Sequence, residues 1–214
     1  MAQCMPRRGT PKLARFAANH DFSAAEFFAG IPGTVGGALA MNAGCHGGET
    51  WQYVTRVLMM NRQGECVLRS VDEFEIGYRH VQPRFDANEI FVAAWFRFPR
   101  GESGAARAHI QNLLARRIAT QPLSLPNAGS VFRNPPGDHA ARLIEAAGLK
   151  GTWLGGAQVS EKHANFIVNP AGRATANEIE MLINHIRLEV HKKFAVELVP
   201  EVRIIGINAV GENL

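Results

Sequence analysis

Residues 27–48, FFAGIPGTVGGALAMNAGCHGG, hold seven glycines and a proline and carry no formal charge when His46 is neutral. The stretch is long enough for a membrane span. However, each interior glycine costs a helix about 1 kcal/mol and a proline about 3 kcal/mol, so a spanning helix is a poor reading. A backbone-rich loop that packs closely on something fits better. Gly30-Ile-Pro-Gly33-Thr-Val-Gly36-Gly37 is neither a GxGxxG fingerprint nor a P-loop with its Lys-Ser/Thr. Four glycines in eight positions still let backbone N–H groups approach a ligand. A tight turn between packed elements explains the same spacing.

The rest of the chain is ordinary globular sequence. It has 214 residues, 46% apolar and 20% charged, which suits one or two domains and excludes a disordered chain. The net charge of +4 and pI near 9.3 would favour an anionic small ligand. No Lys/Arg run exceeds a doublet, so dedicated binding of nucleic acid or of a membrane surface is unsupported. The cysteines Cys4, Cys45 and Cys66 form no disulfide framework, and no apolar signal segment is visible. A cytoplasmic protein is therefore expected. The eight histidines show no ligand spacing, so no metal site is expected.

Periodicity organises the chain into a mixed α+β pattern. The start reads as loop. Lys12–His20 reads as a helix with Leu13, Phe16 and Ala17 on one face. Val54–Met60 and Glu65–Arg69 read as a hairpin around Asn61–Gly64. Ser70 with Glu73, and Thr175 with Glu178, form capping-box patterns. Glu89–Phe98 reads as a strand. Ser103–Ala119 reads as a helix with Ile110, Leu113, Leu114 and Ile118 on one face. His139–Ala147 reads as a helix closed by Gly148. Asn165–Asn169 is expected to be a short buried strand. The long helix after Thr175 places Ile179, Leu182, Ile183, Ile186 and Val190 on one stripe. Ala195–Val199 and Glu201–Ile205 read as strands interrupted by Pro200. Two domains are expected, residues 1–102 and 103–214.

Polar groups cluster at several points. Gly129-Ser130-Val-Phe-Arg-Asn134 sets a hydroxyl, a guanidinium and an amide in an irregular stretch. Tyr78-Arg79-His80, after a helical turn, offers a guanidinium to a carboxylate or phosphate, or to a surface ion pair. Glu201 follows Pro200 among apolar residues, either half buried or as an exposed strand-end charge. Gly155-Gly156-Ala-Gln158-Val-Ser160-Glu-Lys162-His163-Ala-Asn165 is dense in polar side chains.

Six ordered blocks are more specific than any of these alone: GIPGTVGGALAMNAGCHGGE (30–49), YRH (78–80), LPNAGSVFRNPPG (125–137), LIEAAGLKG (143–151), GGAQVSEKHANFIVN (155–169) and LVPEVRIIG (198–206). In combination the chain resembles the UDP-N-acetylenolpyruvoylglucosamine reductase (MurB) family, from about residue 6 to about 206. The short connection Gln121–Ser130 lacks room for the tyrosine-bearing insertion of the longer subtype, so the resemblance is to the shorter, type II. It implies the second lobe of a vanillyl-alcohol-oxidase-type FAD-binding domain, followed by a C-terminal α+β substrate domain. It also implies that the family's first FAD-binding lobe is missing, with an exposed apolar seam in its place.

The activity implied is two-step: NADPH reduces FAD, and hydride and a proton then reach the enolpyruvyl group of UDP-N-acetylglucosamine enolpyruvate. The product, UDP-N-acetylmuramate, serves peptidoglycan precursor synthesis, and with it cell-wall growth, cell shape and division. Matching positions imply Arg79, Ser130 and Glu201 as catalytic. Arg79 would face the developing enolate charge. Ser130 would give the proton to C2, and Glu201 would donate only when protonated. Tyr78, Asn134, Lys150 and His163 would contact substrate. Gly30, Ile31, Pro32, Gly33, Thr34, Gly36, Gly37, Asn42, Ala43, Gly44, Arg117 and Arg203 would hold FAD. A monomer is expected. Two other readings stay open: a fragment that only binds the UDP-sugar, and a flavin reductase for another substrate.

Overall fold

The hairpin expected around Asn61–Gly64 forms one side of the first sheet in a computed structural model, which describes residues 2–85 and 88–206. The last residues of the expected second domain, 207–214, lie outside the described part. Two compact units separate at Arg117/Ile118 rather than at 102/103.

In the first unit, β1 (Ala2–Cys4) is followed by α1 (Thr10–Asn19) and α2 (Val35–Met41). Two short strands, β2 (Gly44–Cys45) and β3 (Gly48–Glu49), pair through the two-residue turn His46-Gly47. Both turn residues have positive φ, 52° and 85°, as a tight hairpin of this length demands. Next come β4 (Val54–Met60), β5 (Cys66–Ser70), β6 (Phe74–Gly77), β7 (His80–Pro83) and β8 (Ile90–Phe96), and then α3 (Ala105–Thr120). The main sheet is antiparallel, in the order β1-β8-β4-β5. Along β4, Val54, Val57 and Met59 point inward and join Phe28, Val35, Leu39 and Phe96 in the core. β5 is an edge strand, and Val67 and Leu68 are exposed on it.

Several expectations for this unit change. The start is not loop: Ala2–Cys4 pairs with Ala94–Phe96, a partnership that three residues cannot announce alone. α1 buries Leu13, Ala14, Ala17 and Ala18, while Phe16 turns outward and stacks on His20 at 4.3 Å. Val35–Met41 of the glycine-rich stretch is helical, with the Thr34 hydroxyl accepting from Gly37 N at its start, and Gly36 sits where a Cβ would lie 2.9 Å from Pro6 Cβ. Tyr78-Arg79 is the turn of the β6–β7 hairpin, which follows a single helical turn at Val71–Glu73. α3 buries only Ala106 and Ile110. Leu114 and Ile118, expected on the same buried face, are exposed, because only the first turns of the helix pack on this core.

The second unit holds α4 (Ala140–Ala146), β9 (Trp153–Leu154), β10 (Ala157–Val159), β11 (Ile167–Val168) and α5 (Ala176–Phe194). The strands form an antiparallel sheet in the order β11-β10-β9. Leu182, Ile183, Ile186 and Val190 of α5 close its core over Phe132, Leu143, Ile144, Val159 and Leu198. The capping box is present: Thr175 Oγ1 accepts from Glu178 N, and Glu178 Oε2 accepts from Thr175 N. Glu178 also receives Gly156 N at 3.3 Å, which ties the β9–β10 turn to the start of α5. The two strands expected after residue 194 do not form. Ala195 takes a left-handed conformation, and the extended chain beyond it makes only a single bridge, Pro200 to Phe132.

The β9–β10 turn leaves no space for a side chain. A Cβ on Gly156 would lie 2.6 Å from Ala174 N and 2.8 Å from its Cα. Both are backbone atoms, so Gly156→Ala is expected to destabilise the chain by about 1–3 kcal/mol in denaturant unfolding.

Candidate active site

Four of the site residues expected in the first unit converge at the C-terminus of α2. Asn42 closes that helix in a left-handed conformation and is buried. Its Nδ2 donates to Glu49 Oε2 (2.9 Å) and to Gly77 O (3.0 Å), and its Oδ1 accepts from Trp51 N (3.1 Å). The side chain therefore knits the fold rather than facing a ligand. Arg79, at φ +53°, reaches back to this point. Its Nη2 donates to Gly44 O (2.9 Å), its Nη1 to Asn42 O (3.4 Å), and its guanidinium lies over the Tyr78 ring at 5.0 Å. A Cβ on Gly44 would lie 2.5 Å from Gly48 O and 3.3 Å from Arg79 Nη1, so the close pairing of β2 with β3 requires the glycine and the guanidinium packs tightly beside it.

Arg117 belongs to the same positively charged neighbourhood. Burial pushes the Cys45 thiol up, and the charges of Arg117 and Arg79 oppose that shift. Burial, then Arg116, Arg117 and His109, hold the His46 imidazole below its ordinary value. Gly30 is packed under both: a Cβ there would lie 2.8 Å from Cys45 Sγ and 3.3 Å from His46 Nε2. Cys45, His46 and Glu49 carried no functional signal in the sequence. A contact with an arginine distant in the chain leaves no mark in local spacing.

The stretch expected to hold FAD divides in two. Val35 N donates to Arg8 O, Gly36 N to Pro6 O and Gly37 N to Thr34 Oγ1, so these amides are already satisfied within the fold. Thr10 binds the carbonyls of Ile31 and Gly33. Pro32, Gly33, Thr34 and Gly37 are exposed, and a cavity of about 490 Å³ opens beside them, lined by Arg7, Thr34, Gly36, Gly37 and Phe91 among others. Glycine backbone, an aromatic wall and one arginine suit a flat, anionic dinucleotide, so these residues fit part of an FAD molecule. Ala43 is half buried, and its carbonyl accepts from Thr50 N and Thr50 Oγ1.

In the second unit the backbone brings Ser130 and Glu201 together. Glu201 N donates to Val131 O at 2.8 Å and Arg133 N to Val199 O at 2.9 Å, so Ser130 borders the strip on which Glu201 is docked. The loop before it is held by Asn127, whose Nδ2 binds the carbonyls of Pro122 and Leu125 and whose Oδ1 accepts from Gly129 N. Asn134 Oδ1 accepts from Ala140 N at the start of α4, which leaves its amide N–H groups for a ligand. Lys150 pairs with Glu145 at 3.1 Å. Arg203 lies on a largely apolar cavity of about 540 Å³ with Val131, Ile179, Ile183 and Ile205.

His163 Nδ1 lies 3.3 Å from Asn165 N and so serves as acceptor in the neutral ring. Burial first, then the Lys150 charge, lowers its pKa from the ordinary 6.5. A depressed folded value gives stability that is present above 6.5 and lost as pH falls through the lowered value. His163→Gln is therefore expected to flatten the acid side of the stability curve below pH 6.5, measured by urea unfolding at a series of pH values. An unchanged slope would contradict it.

A family model for the C-terminal domain of UDP-N-acetylenolpyruvoylglucosamine reductase matches residues 121–205, and one for an FAD binding domain matches residues 9–68. The crystal structure of UDP-N-acetylenolpyruvylglucosamine reductase (MurB) from Thermus caldophilus superposes with TM-score 0.79 at 30% identity, covering 95% of this chain and 73% of that one. The chain belongs to the UDP-N-acetylenolpyruvoylglucosamine reductase family. Reductases so named from Thiobacillus denitrificans and Methylococcus capsulatus are 58% and 59% identical over 92% and 91% of the chain. The chain spans 60% and 63% of the length of these two relatives. In the family's terms, the first unit carries the FAD-binding pattern and the second the reductase C-terminal domain.

Proposed function

We propose that the chain acts in the reduction of UDP-N-acetylglucosamine enolpyruvate to UDP-N-acetylmuramate, with NADPH as reductant. The observation that supports this reading is the docking of the Glu201 main chain on Val131, the residue next to Ser130, which brings the two positions close along one strip of backbone. A hydroxyl and a carboxyl group at neighbouring positions suit protonation next to a carboxylate. FAD, held by the exposed Pro32–Thr34 turn, Gly37 and Arg117, would supply the hydride when bound.

The chain's own residues do the rest. Arg79, anchored on two carbonyls and backed by Tyr78, holds fixed positive charge for a carboxylate whose negative charge grows during the reaction. Ser130 holds the proton destined for C2. Glu201, when protonated, would donate a hydrogen bond to a carboxylate. Lys150 and the Asn134 amide suit a diphosphate and its sugar, while His163, neutral at pH 7, offers a donor rather than a charge.

The test is purification with added FAD, a visible spectrum, and NADPH oxidation with and without the enolpyruvyl sugar nucleotide. Flavin absorbance and substrate-dependent oxidation support the reading. A colourless chain that binds the sugar nucleotide in calorimetry supports the fragment reading instead. Turnover with another enol ether only would favour a different substrate.

A further inference from the structure

Asn165 is 4% exposed and belongs to none of the groups assigned above to substrate or cofactor. Its side-chain amide faces the main chain of Phe132: Nδ2 donates to Phe132 O at 2.8 Å and Oδ1 accepts from Phe132 N at 2.9 Å. This is the reciprocal exchange that a paired β residue would make, supplied by a side chain. The main chain adds a third link, Val131 N to Asn165 O at 3.0 Å. The strip Val131–Arg133 is thus gripped by Asn165 and by Val199–Glu201. Ser130 enters it at one end, and Glu201 hangs from Val131 O. Phe132 itself is 1% exposed, so the strip cannot turn toward water for other partners.

We propose that Asn165 is a positioning residue that fixes the separation of Ser130 and Glu201 by locking the register of residues 131–133. The proposal rests on the roles given above to those two groups. Aspartate at 165 keeps the shape and the acceptor for Phe132 N but sets an oxygen against Phe132 O. The strip then keeps its fold and loses its register lock.

The test uses the FAD-loaded chain with Asn165→Asp and Asn165→Ala, and hydrogen exchange read at single amides. Expected are exchange at least tenfold faster at Phe132 and Glu201, and substrate-dependent reoxidation of flavin about 100-fold slower. Reduction of flavin by NADPH and the KM for the sugar nucleotide should stay unchanged. Losses in both half-reactions that simply track the folded fraction would overturn positioning, as would faster exchange with an unaltered reoxidation rate. If Asn165→Ala does not fold, Asn165→Asp decides. If both fail, exchange of the Asn165 side-chain amide in the unaltered chain decides: protection supports the clamp and free exchange overturns it. If the unaltered chain shows no substrate-dependent reoxidation, the functional reading fails on its own. The exchange rates at Phe132 and Glu201 then still uphold or overturn the clamp.

Discussion

Ser130→Ala is expected to slow substrate-dependent reoxidation of the flavin by about 10²- to 10⁴-fold, the range for losing one positioned acid. Reduction by NADPH should stay unchanged. The prediction is clean because the backbone at Ser130 is fixed from outside its side chain. Gly129 N is held by Asn127, and Val131 is held through its N–H by Asn165 and through its carbonyl by Glu201. Removing the hydroxyl should therefore leave stability within about 0.5 kcal/mol. Ser130→Cys keeps a transferable proton at nearly the same place and is expected to recover part of the lost rate. Stopped-flow absorbance separates the two half-reactions. Equal losses in both would remove Ser130 from the protonation step.

Local rules make much of this fold legible. Thr175 with Glu178, and Ser70 with Glu73, are capping boxes in sequence and in structure, since each needs only residues three apart. The β4–β5 hairpin and the α5 stripe follow equally from short-range periodicity. The failures share one cause, dependence on distant partners. β1 exists because β8 accepts it, and α2 exists because Pro6 and Arg8 receive its first amides. The extended tail after Ala195 looks like strand, yet only Pro200 finds a bridge partner. The same holds for the candidate site. Ser130, Glu201, Arg79 and Asn42 stand out through ordered motifs, but that the Asn42 side chain serves the fold, and that Asn165 does so too, is visible only once their burial and partners are known. Both are buried amides bonded to backbone, and both stand behind a residue proposed to be catalytic.

That arrangement gives Arg79 a test separable from stability. Arg79→Lys is expected to lower kcat/KM for the sugar nucleotide by about 10²- to 10³-fold, the scale for losing one preorganised donor to a developing oxyanion. Lysine keeps the charge and tolerates the left-handed turn no worse than arginine. Its three donors radiate from one nitrogen, however, so it cannot grip Gly44 O and Asn42 O while presenting a planar fork. Folding should barely change, because the turn is held by the β6–β7 ladder and by Asn42 on Gly77 O. Asn42→Ala is the counterpart. It strands the buried Trp51 N, at about 1–3 kcal/mol for a group left unsatisfied, and removes one partner each from Gly77 O and from the Glu49 carboxylate, which Gln52 N still serves. Unfolding by urea should therefore show a large loss for Asn42→Ala and almost none for Arg79→Lys, while both lose turnover. Should Arg79→Lys instead turn over normally, the guanidinium geometry is not what serves the carboxylate, and the role falls to charge alone.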